Sequence, residues 1–235
     1  MTNALNREAN KLSVVIPTFN AADELRLTLQ ALVSGRDAAA IAEIVVVDGG
    51  SSDDSFAVAR DFGAHPIESE RGRGSQLRAG ASATNSPWLF FLHADTRPDP
   101  GWLDTVSQII SNPSRDFAAV FKLRFDDTAK AARVMEDGVA WRTRVLGLPY
   151  GDQGLLISRR FYDALGGYRD LPLMEDVDLM RRIGRHRIVL LDHRVTTSAD
   201  RYRRDGYGPR IARNLSILTL YLLGVPPARL VRLYG

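Results

Sequence analysis

The 235-residue sequence contains no cysteine. This absence excludes disulfides, thiolate zinc sites and cysteine nucleophiles, and it fits a reducing compartment such as the cytoplasm. Lysine is also scarce. Of the 31 basic residues, only Lys11, Lys122 and Lys130 are lysines, and the others are arginines. The arginine bias suits bidentate phosphate contacts, although genome composition would give the same bias.

Long hydrophobic runs are missing as well. The first eleven residues, "MTNALNREANK", are polar and lack the apolar centre of a signal peptide, so we expect 1–11 to be disordered. The longest apolar stretch near the other end, "LSILTLYLLGV", is too short to cross a bilayer as one helix. We therefore expect a cytoplasmic protein, either soluble or peripheral on the inner face of the cell membrane.

Short apolar runs alternate with segments of helical spacing. The predicted strands are 12–17, 43–48, 65–69, 87–95, 117–125, 154–160 and 187–192. The predicted helices are 21–35, 52–63, 73–84, 127–146 and 175–185. Asn20 and Gly35 are expected to bound the first helix, and Ser52 to cap the second. The alternation predicts an α/β domain with a mostly parallel sheet, helices on both faces and a mixed second half.

Polar residues follow three of the predicted strands. They are Thr18 and Asn20 after the first, the run 48–51 after the second, and His93 with Asp95 after the fourth. Ligands bind beyond the carboxyl ends of strands in open parallel sheets. Convergence of three such ends predicts a ligand site there.

Asp95 is the candidate metal ligand. A strand-end carboxylate can hold Mg²⁺ or Mn²⁺ and leave other positions for water and phosphate oxygens. His93 would face the same side in an extended segment. The structural alternative is that Asp95 caps a turn through Thr96 and that His93 is packed.

Two glycine-bearing segments are candidates for nucleotide contacts. In "DGGSSDD", Asp48 could accept a hydrogen bond from a base or ribose hydroxyl, but a plain turn into a helix needs the same residues. In "RGRGSQLRAG", Arg71, Arg73 and Arg78 suit a diphosphate. The dinucleotide-binding glycine fingerprint and the Walker A pattern are both absent.

A second acidic cluster lies in "LPLMEDVDLMRR". Glu175, Asp176 and Asp178 open a helix, where the helix dipole alone would favour them. The neighbouring methionine is also what a carboxylate general base in a half-dry pocket would have beside it. Upstream, Asp152 and Gln153 in "LPYGDQGLL" are placed to hydrogen-bond hydroxyls.

Together these motifs resemble the family 2 glycosyltransferases of the GT-A fold. "VVIPTFN", "IVVVDGGSSDDS", "LFFLHADT" and "MEDVDL" match in order between about residues 12 and 190. Within the family, the chain is most similar to a bacterial subgroup with "HADT" and "YGDQG", often labelled arsenosugar-type or carotenoid-type.

The resemblance implies an inverting, metal-assisted transfer from a nucleoside-diphosphate sugar to an acceptor hydroxyl. Asp95 would bind Mg²⁺ or Mn²⁺, Asp176 would be the base, and Glu175 would contact acceptor or sugar. Asp152 and Gln153 would bind the acceptor. The residues expected to contact the nucleotide sugar are Pro17, Thr18, Asn20, Asp48, Gly49, Gly50, Ser51, Arg73, Gln76 and His93.

Two departures from the family pattern are present. Gly49 stands where a second acid is usual, and His93 takes the first place of the usual Asp-x-Asp. A nucleotidyltransferase of related fold is an alternative, but "IPTFNAADEL" lacks its glycine-rich, lysine-bearing signature. A non-catalytic sugar-nucleotide-binding protein is the other. Nucleic-acid binding is disfavoured because no recognisable motif combines the arginines with aromatics.

The C-terminal segment is basic. From residue 195 onward seven arginines face two acids, Asp200 and Asp205, a surplus of 7 − 2 = 5. We assign 12–200 to the glycosyltransferase domain and 201–235 to an amphipathic tail broken at Pro226 and Pro227. The preferred interpretation has Arg201 and Tyr202 close over the diphosphate while the helix packs on the domain. The alternative rests the tail on an anionic membrane, near a hydrophobic or lipid-linked acceptor, through arginines 210 and 213.

Overall fold

The computed structural model describes residues 10–34, 40–111 and 116–234. The expected disorder of 1–11 and the helix stop at Gly35 fall outside these ranges, except for positions 10 and 11. The strands are β1 Leu12–Thr18, β2 Ile41–Asp48, β3 His65–Glu68, β4 Trp88–Phe91, β5 Thr96–Pro98, β6 Ala118–Phe125, β7 Leu155–Ser158 and β8 Ile188–Thr197. The helices are α1 Ala22–Ser34, α2 Ser55–Asp61, α3 Arg73–Ser82, α4 Trp102–Ile110, α5 Lys130–Leu146, α6 Arg159–Ala164, α7 Glu175–Ile183, α8 Asp200–Asp205, α9 Tyr207–Leu222 and α10 Pro227–Tyr234.

The strands form one sheet in the order β3-β2-β1-β4-β7-β6-β8-β5. The first four are parallel, with Thr18 of β1 beside Asp48 of β2. β7 then runs antiparallel to β4 and β6, β6 pairs with β8 in parallel, and β5 closes the far edge antiparallel to β8. The predicted parallel sheet with a mixed second half is confirmed.

Both faces of the sheet are covered by apolar side chains. On one face, Phe90 of β4 packs in a cluster with Leu25 and Leu29 of α1. On the other, Leu89 and Phe91 join a cluster that includes α3 and α7. Because successive strand residues point to opposite faces, the uninterrupted run of β4 is explained by burial on both sides.

Two predicted helix caps are wrong. Asn20 has a positive φ of 48°, and its Oδ1 accepts the N–H of Ser52 at 2.8 Å instead of capping α1. Ser52 does not cap α2, which begins at Ser55, and Asp53 Oδ1 accepts the Ser55 N–H at 3.0 Å. The polar residues of the two loops bond to each other, an arrangement that local capping rules do not consider.

The fourth predicted strand is shorter than expected. β4 ends at Phe91, and the N–H of Thr96 donates to the His93 carbonyl at 3.2 Å, so the chain turns at His93–Thr96. The short β5 that follows then pairs with β8, where Thr96 Oγ1 donates to Thr197 Oγ1 at 3.1 Å. Neither β5 nor α4 was predicted. Three residues are too few for β5 to show a period, whereas the buried residues of α4, Trp102, Leu103, Val106 and Ile110, do follow helical spacing.

The C-terminal helices pack on the domain. Ile217 and Leu218 of α9 and Leu230 of α10 are buried in the cluster that contains α7. Arg210 is also buried, 6% exposed, with its Nη1 donating to Asp205 at 2.8 Å. Arg210 therefore does not belong to an outward basic face. Throughout 10–34, 40–111 and 116–234, every helix falls short of the length and apolar character that a bilayer crossing requires.

Candidate active site

The loops after β1 and β2 are fastened together at the carboxyl edge of the sheet. Asp48 Oδ2 accepts the N–H groups of Gly50 at 3.0 Å and Ser51 at 2.8 Å, and its Oδ1 accepts the Ser51 hydroxyl. The Asn20 N–H donates to Ser51 Oγ at 2.8 Å. Asp48 therefore builds the turn, which was the structural alternative left open by its sequence.

The side chain of Gln76 also binds the ends of β1 and β2. Its Nε2 donates to the carbonyls of Thr18 and Val47, both at 2.8 Å, and its side chain is buried. A Cβ on Gly49 would lie 3.1 Å from this nitrogen. The amide of Gln76 thus holds the two loops in place, which corrects the expectation that it contacts the nucleotide sugar.

Thr18 and Pro17 lie on this edge too. Thr18 is buried, and its Oγ1 has no hydrogen-bond partner among the described residues. Pro17 is half-buried and pairs in register with Val47. The positions of Pro17, Thr18, Asp48 and Ser51 are compatible with a nucleoside lying across the edge.

A cleft among the described residues lies at the carboxyl end of β4, with an open volume of about 880 Å³ that includes space accessible to solvent. Its charged and polar lining comes from five separated segments, which are the start of α3, the turn after β4, the turn after α5, the start of α7, and the end of β8 with the helices that follow it. These polar residues are Arg73, His93, Asp95, Asp152, Glu175, Asp176, Thr197, Ser198, Arg201, Arg210 and Asn214.

His93 and Asp95 face this cleft from the turn after β4. Asp95 Oδ1 accepts the Thr96 hydroxyl at 3.2 Å, so the predicted cap interaction is present without removing the carboxylate from the cleft. Burial, together with the charge of Arg73, lowers the pKa of His93 to about 3. His93 is therefore a neutral ring at physiological pH.

The acids of α7 have three different surroundings. Glu175 is 2% exposed, and its Oε1 accepts Arg73 Nη1 at 3.2 Å. Burial raises the pKa of Glu175, and the charge of Arg73 opposes that rise. Asp176 lines the cleft, with Oδ2 accepting the Gly151 N–H at 2.9 Å and Oδ1 the Val177 N–H at 2.7 Å.

Asp178 has a structural role. It accepts hydrogen bonds from Arg169 at 3.1 Å and from Arg182 at 2.9 and 2.6 Å, and it does not line the cleft. Met174, just before the helix, has a positive φ of 66° and is buried. Among the three acids, Asp176 is the one whose carboxylate is held by backbone N–H groups at the cleft.

The two residues predicted to bind the acceptor, Asp152 and Gln153, have different surroundings. Asp152 lines the cleft, and its Oδ1 is buried without a hydrogen-bond partner among the described residues. Burial raises the pKa of Asp152 to about 6 against the opposing charge of Arg142. Gln153 is fully buried, and its amide bonds to Phe121, Thr143 and Tyr150, so it does not reach an acceptor.

The tail closes one side of the cleft. Arg201 and Tyr202 of α8 and Asn214 of α9 line it, and Phe125 packs edge-on against Tyr202 with ring centroids 5.1 Å apart. The aromatic and apolar lining residues are Phe125, Tyr150, Leu173, Met174, Tyr202 and Ile217. Tyr150, Leu173 and Met174 belong to the motifs 150–154 and 171–182, and Tyr202 to the tail segment noted in the sequence. Phe125 and Ile217 had no such signal.

Carboxylates are the side chains of the cleft that could bind a divalent cation. No group of three or more acidic or histidine side chains in the described ranges is arranged to hold a metal alone. Mg²⁺ and Mn²⁺ bound through substrate phosphates need only one or two carboxylates. Asp95 supplies one, and Asp152 carries an oxygen without a hydrogen-bond partner in the same cleft. The residues present fit a phosphate-bridging cation.

In an open α/β sheet of this kind, ligands bind outside the carboxyl ends of the strands, which is where the acidic cleft lies. The family model described as "Glycosyl transferase family 2" matches residues 13–166. The chain therefore belongs to glycosyltransferase family 2. The match ends before Glu175 and Asp176.

Curated relatives agree on the class. The chain is 26% identical over 200 residues to the "Probable glycosyltransferase YdaM" of Bacillus subtilis, covering 75% of this chain and 47% of the relative. It is 33% identical over 126 residues to the "Succinoglycan biosynthesis protein ExoU" of Rhizobium meliloti, covering 51% and 35%. The chain thus spans less than half the length of these two relatives.

Solved structures share the fold. Glucosyl-3-phosphoglycerate synthase from Mycobacterium tuberculosis, in complex with Mn²⁺ and UDP-glucose, has a TM-score of 0.65 at 18% identity, covering 96% of this chain and 84% of that chain. The same protein with Mn²⁺, UDP and glucosyl-3-phosphoglycerate has a TM-score of 0.63 at 16% identity, covering 94% and 83%. At this identity the likeness establishes the GT-A fold.

Proposed function

We propose that this chain is an inverting glycosyltransferase that uses a nucleoside-diphosphate sugar and a divalent metal. The observation that carries the proposal is the shared cleft of Asp95 and Asp176, in which the Asp176 carboxylate is held by the N–H groups of Gly151 and Val177. A cation held by Asp95 and the diphosphate would stabilise charge on the leaving group. The neighbours that bind UDP-glucose with Mn²⁺ support UDP-sugars as the first donors to test.

Asp176 acts as the base in this proposal. It takes the proton of the acceptor hydroxyl as the acceptor oxygen forms its bond to the anomeric carbon. The bond from that carbon to the phosphate oxygen breaks, and the nucleoside diphosphate leaves with the electron pair. A single displacement of this kind inverts the anomeric configuration. The partly exposed Arg73 flanks the diphosphate, and Glu175 holds Arg73 in place.

The donor half uses the edge of β1 and β2. Pro17, Thr18, Asp48 and Ser51 surround the nucleoside in this proposal, with Asp48 acting through the turn that it shapes. The loop residues Asn20, Gly49 and Gly50 complete that surface. Arg201, which makes no ion pair or hydrogen bond within the described ranges, supplies a cation for the diphosphate from the tail.

On the side of the cleft proposed for the acceptor, one polar side chain, that of Asp152, is surrounded by apolar residues. Asp152 offers an oxygen without a partner to an acceptor hydroxyl. Tyr150, Leu173 and Ile217 are among the apolar residues of the same wall, and they favour an acceptor with a hydrophobic part. Arg229 and Arg232 of α10 are exposed, as are Leu223 and Leu233, which supports contact with an anionic inner membrane and a lipid-linked acceptor.

A screen of nucleotide sugars by thermal shift, with and without Mn²⁺, tests the donor. Turnover is then measured by nucleoside diphosphate release with a panel of acceptors that includes phosphoglycerate and other hydroxyl compounds, and a polyprenyl phosphate, which accepts on its phosphate oxygen. Anomeric inversion is read by NMR of the product. Donor binding without release for any acceptor would favour the non-catalytic sugar-nucleotide-binding alternative.

A further inference from the structure

Three separated segments meet at Gly151. Its N–H donates to Asp176 Oδ2 at 2.9 Å, which links the turn 150–153 to the start of α7. On its other side, a Cβ added to Gly151 would lie 2.6 Å from His93 Nε2 and 3.1 Å from His93 Cε1. No side chain fits at 151 while the His93 ring keeps its place.

The turn that carries Gly151 is anchored by side-chain contacts to β6 and α5. Gln153 Nε2 donates to the Phe121 carbonyl of β6 at 3.0 Å, and Gln153 Oε1 accepts the Thr143 hydroxyl of α5 at 3.1 Å. The Arg142 guanidinium stacks 3.5 Å above the centre of the Tyr150 ring. Since the sheet and α5 anchor the turn, it has little room to retreat from His93.

The position of His93 relative to Gly151 therefore affects the carboxylate of Asp176. We infer that His93 is a positioning residue that acts through Gly151 to hold Asp176 in its working orientation. This inference rests on the proposed role of Asp176 as the base. The ring at 93, in the place of the first acid of Asp-x-Asp, then serves the base side of the cleft and leaves the metal to Asp95.

The first test needs no substrate. The amide resonance of Val177, whose N–H donates to Asp176 Oδ1 at 2.7 Å, is followed by NMR in the wild type, Gly151→Ala, His93→Ala and the double variant. Asp176→Asn should shift the Val177 amide, because it removes the charge that this N–H faces. Gly151→Ala should move the Val177 amide, and His93→Ala in the same chain should return most of that change. An equal Gly151→Ala shift of the Val177 amide with and without His93 would overturn the inference.

The second test separates binding from turnover. Gly151→Ala should lower kcat by about 10- to 100-fold, because a misplacement of about 1 Å is enough to cost a factor of that order. Its Kd for UDP with Mn²⁺ should stay within about two-fold of the wild type. In the His93→Ala background, Gly151→Ala should cost less than about three-fold. Gly138→Ala is the matched control, because nothing lies within 4 Å of that added Cβ.

Two further outcomes distinguish the inference about His93 from the proposed function. If His93→Ala weakens UDP–Mn²⁺ binding and leaves kcat unchanged, His93 belongs to the donor site and the inference is wrong. If the amide shifts recover in the double variant but no donor is turned over, the positional coupling stands and the proposed function fails. The two proposals are therefore separable.

Discussion

Arg73 at the start of α3 forms an ion pair with Glu175 at the start of α7, with Nη1 and Oε1 3.2 Å apart across 102 positions of sequence. The Glu175 side chain is 3% exposed, whereas that of Arg73 is 43% exposed. The pair therefore joins the two helices at the floor of the cleft and supplies charge compensation for a buried carboxylate. We therefore expect Arg73 to contribute to folding, in addition to the donor contact proposed for it.

Arg73→Ala should destabilise the protein in a pH-dependent manner. Burial already raises the pKa of Glu175 above 4.5, and losing Arg73 raises it further. The folded state then keeps this proton to higher pH than the unfolded chain, so stability is lost as pH rises. We expect a deficit of about 1–3 kcal/mol near neutral pH that shrinks towards pH 4. Urea unfolding at several pH values, with exposed Arg78→Ala as control, measures it; a pH-independent deficit would contradict this account.

Asp95→Asn should remove most of the metal-dependent affinity for UDP. The change neutralises a carboxylate that a phosphate-bridging cation would use while keeping the side-chain shape. Calorimetry with UDP and Mn²⁺ is the measurement. Asp23→Asn, an exposed acid on α1, serves as the control and should bind as the wild type does. Unchanged affinity in Asp95→Asn would end the metal assignment.

Asp176→Asn should lower turnover by about 10²–10⁴-fold and leave donor binding nearly intact, because the amide no longer accepts the acceptor proton. Steady-state rates and UDP–Mn²⁺ titration separate the two effects. Asp178→Asn is the contrast, since Asp178 bonds to Arg169 and Arg182 outside the cleft. It should lower the melting temperature and keep kcat within about three-fold. Loss of donor binding in Asp176→Asn would instead indicate a structural role.

Asp152→Asn should change how stability depends on pH. The folded-state pKa of Asp152 is raised to about 6 from 3.8, so the folded protein holds a proton that the unfolded chain has released. Stability of the wild type relative to Asp152→Asn should therefore fall as pH rises from about 4 to above 6. Thermal unfolding across this range tests it, with exposed Asp137→Asn as control. A constant difference would show that Asp152 is not titrating there.

Membrane contact is tested with exposed tail residues, because Arg210 is buried and its replacement would disturb packing. The wild type should sediment with anionic vesicles at low salt and be released at high salt. Leu223→Asp with Leu233→Asp, at positions 76% and 58% exposed, should abolish sedimentation. Val134→Asp on α5, 72% exposed, is the control. Equal sedimentation of all variants would show that another surface binds the vesicles, whereas no sedimentation of the wild type at low salt would favour an acceptor in solution.

The parallel half of the fold was predictable because its strands are buried on both faces. The run 88–91 is apolar without interruption, and such a run has few stable places except a covered parallel sheet. Asp95 was predicted at a strand end of this edge, and the resemblance to the family implied that Asp176 belongs to the same site. The structure brings both carboxylates to one cleft. Their roles in metal binding and catalysis remain predictions.

The errors came from partners distant in sequence. Gln76 looked like a ligand contact, yet its amide is satisfied by two strand-end carbonyls. Gln153 was misplaced in the same way, because the residues that surround it lie on β6 and α5. Asn20 followed a strong local capping rule, but Ser52 from another loop competed for its side chain. A single sequence carries no record of such pairings.

Met174 has consequences for attempts to engineer the protein. A non-glycine residue in the left-handed region costs about 1–3 kcal/mol, and this one immediately precedes the two acids of the cleft. Glycine would remove that cost, yet the methionine side chain is only 9% exposed and packs with the cluster behind α7. Library selection for heat tolerance would therefore meet opposing pressures at 174, because relaxing the backbone there also admits water beside the carboxylates.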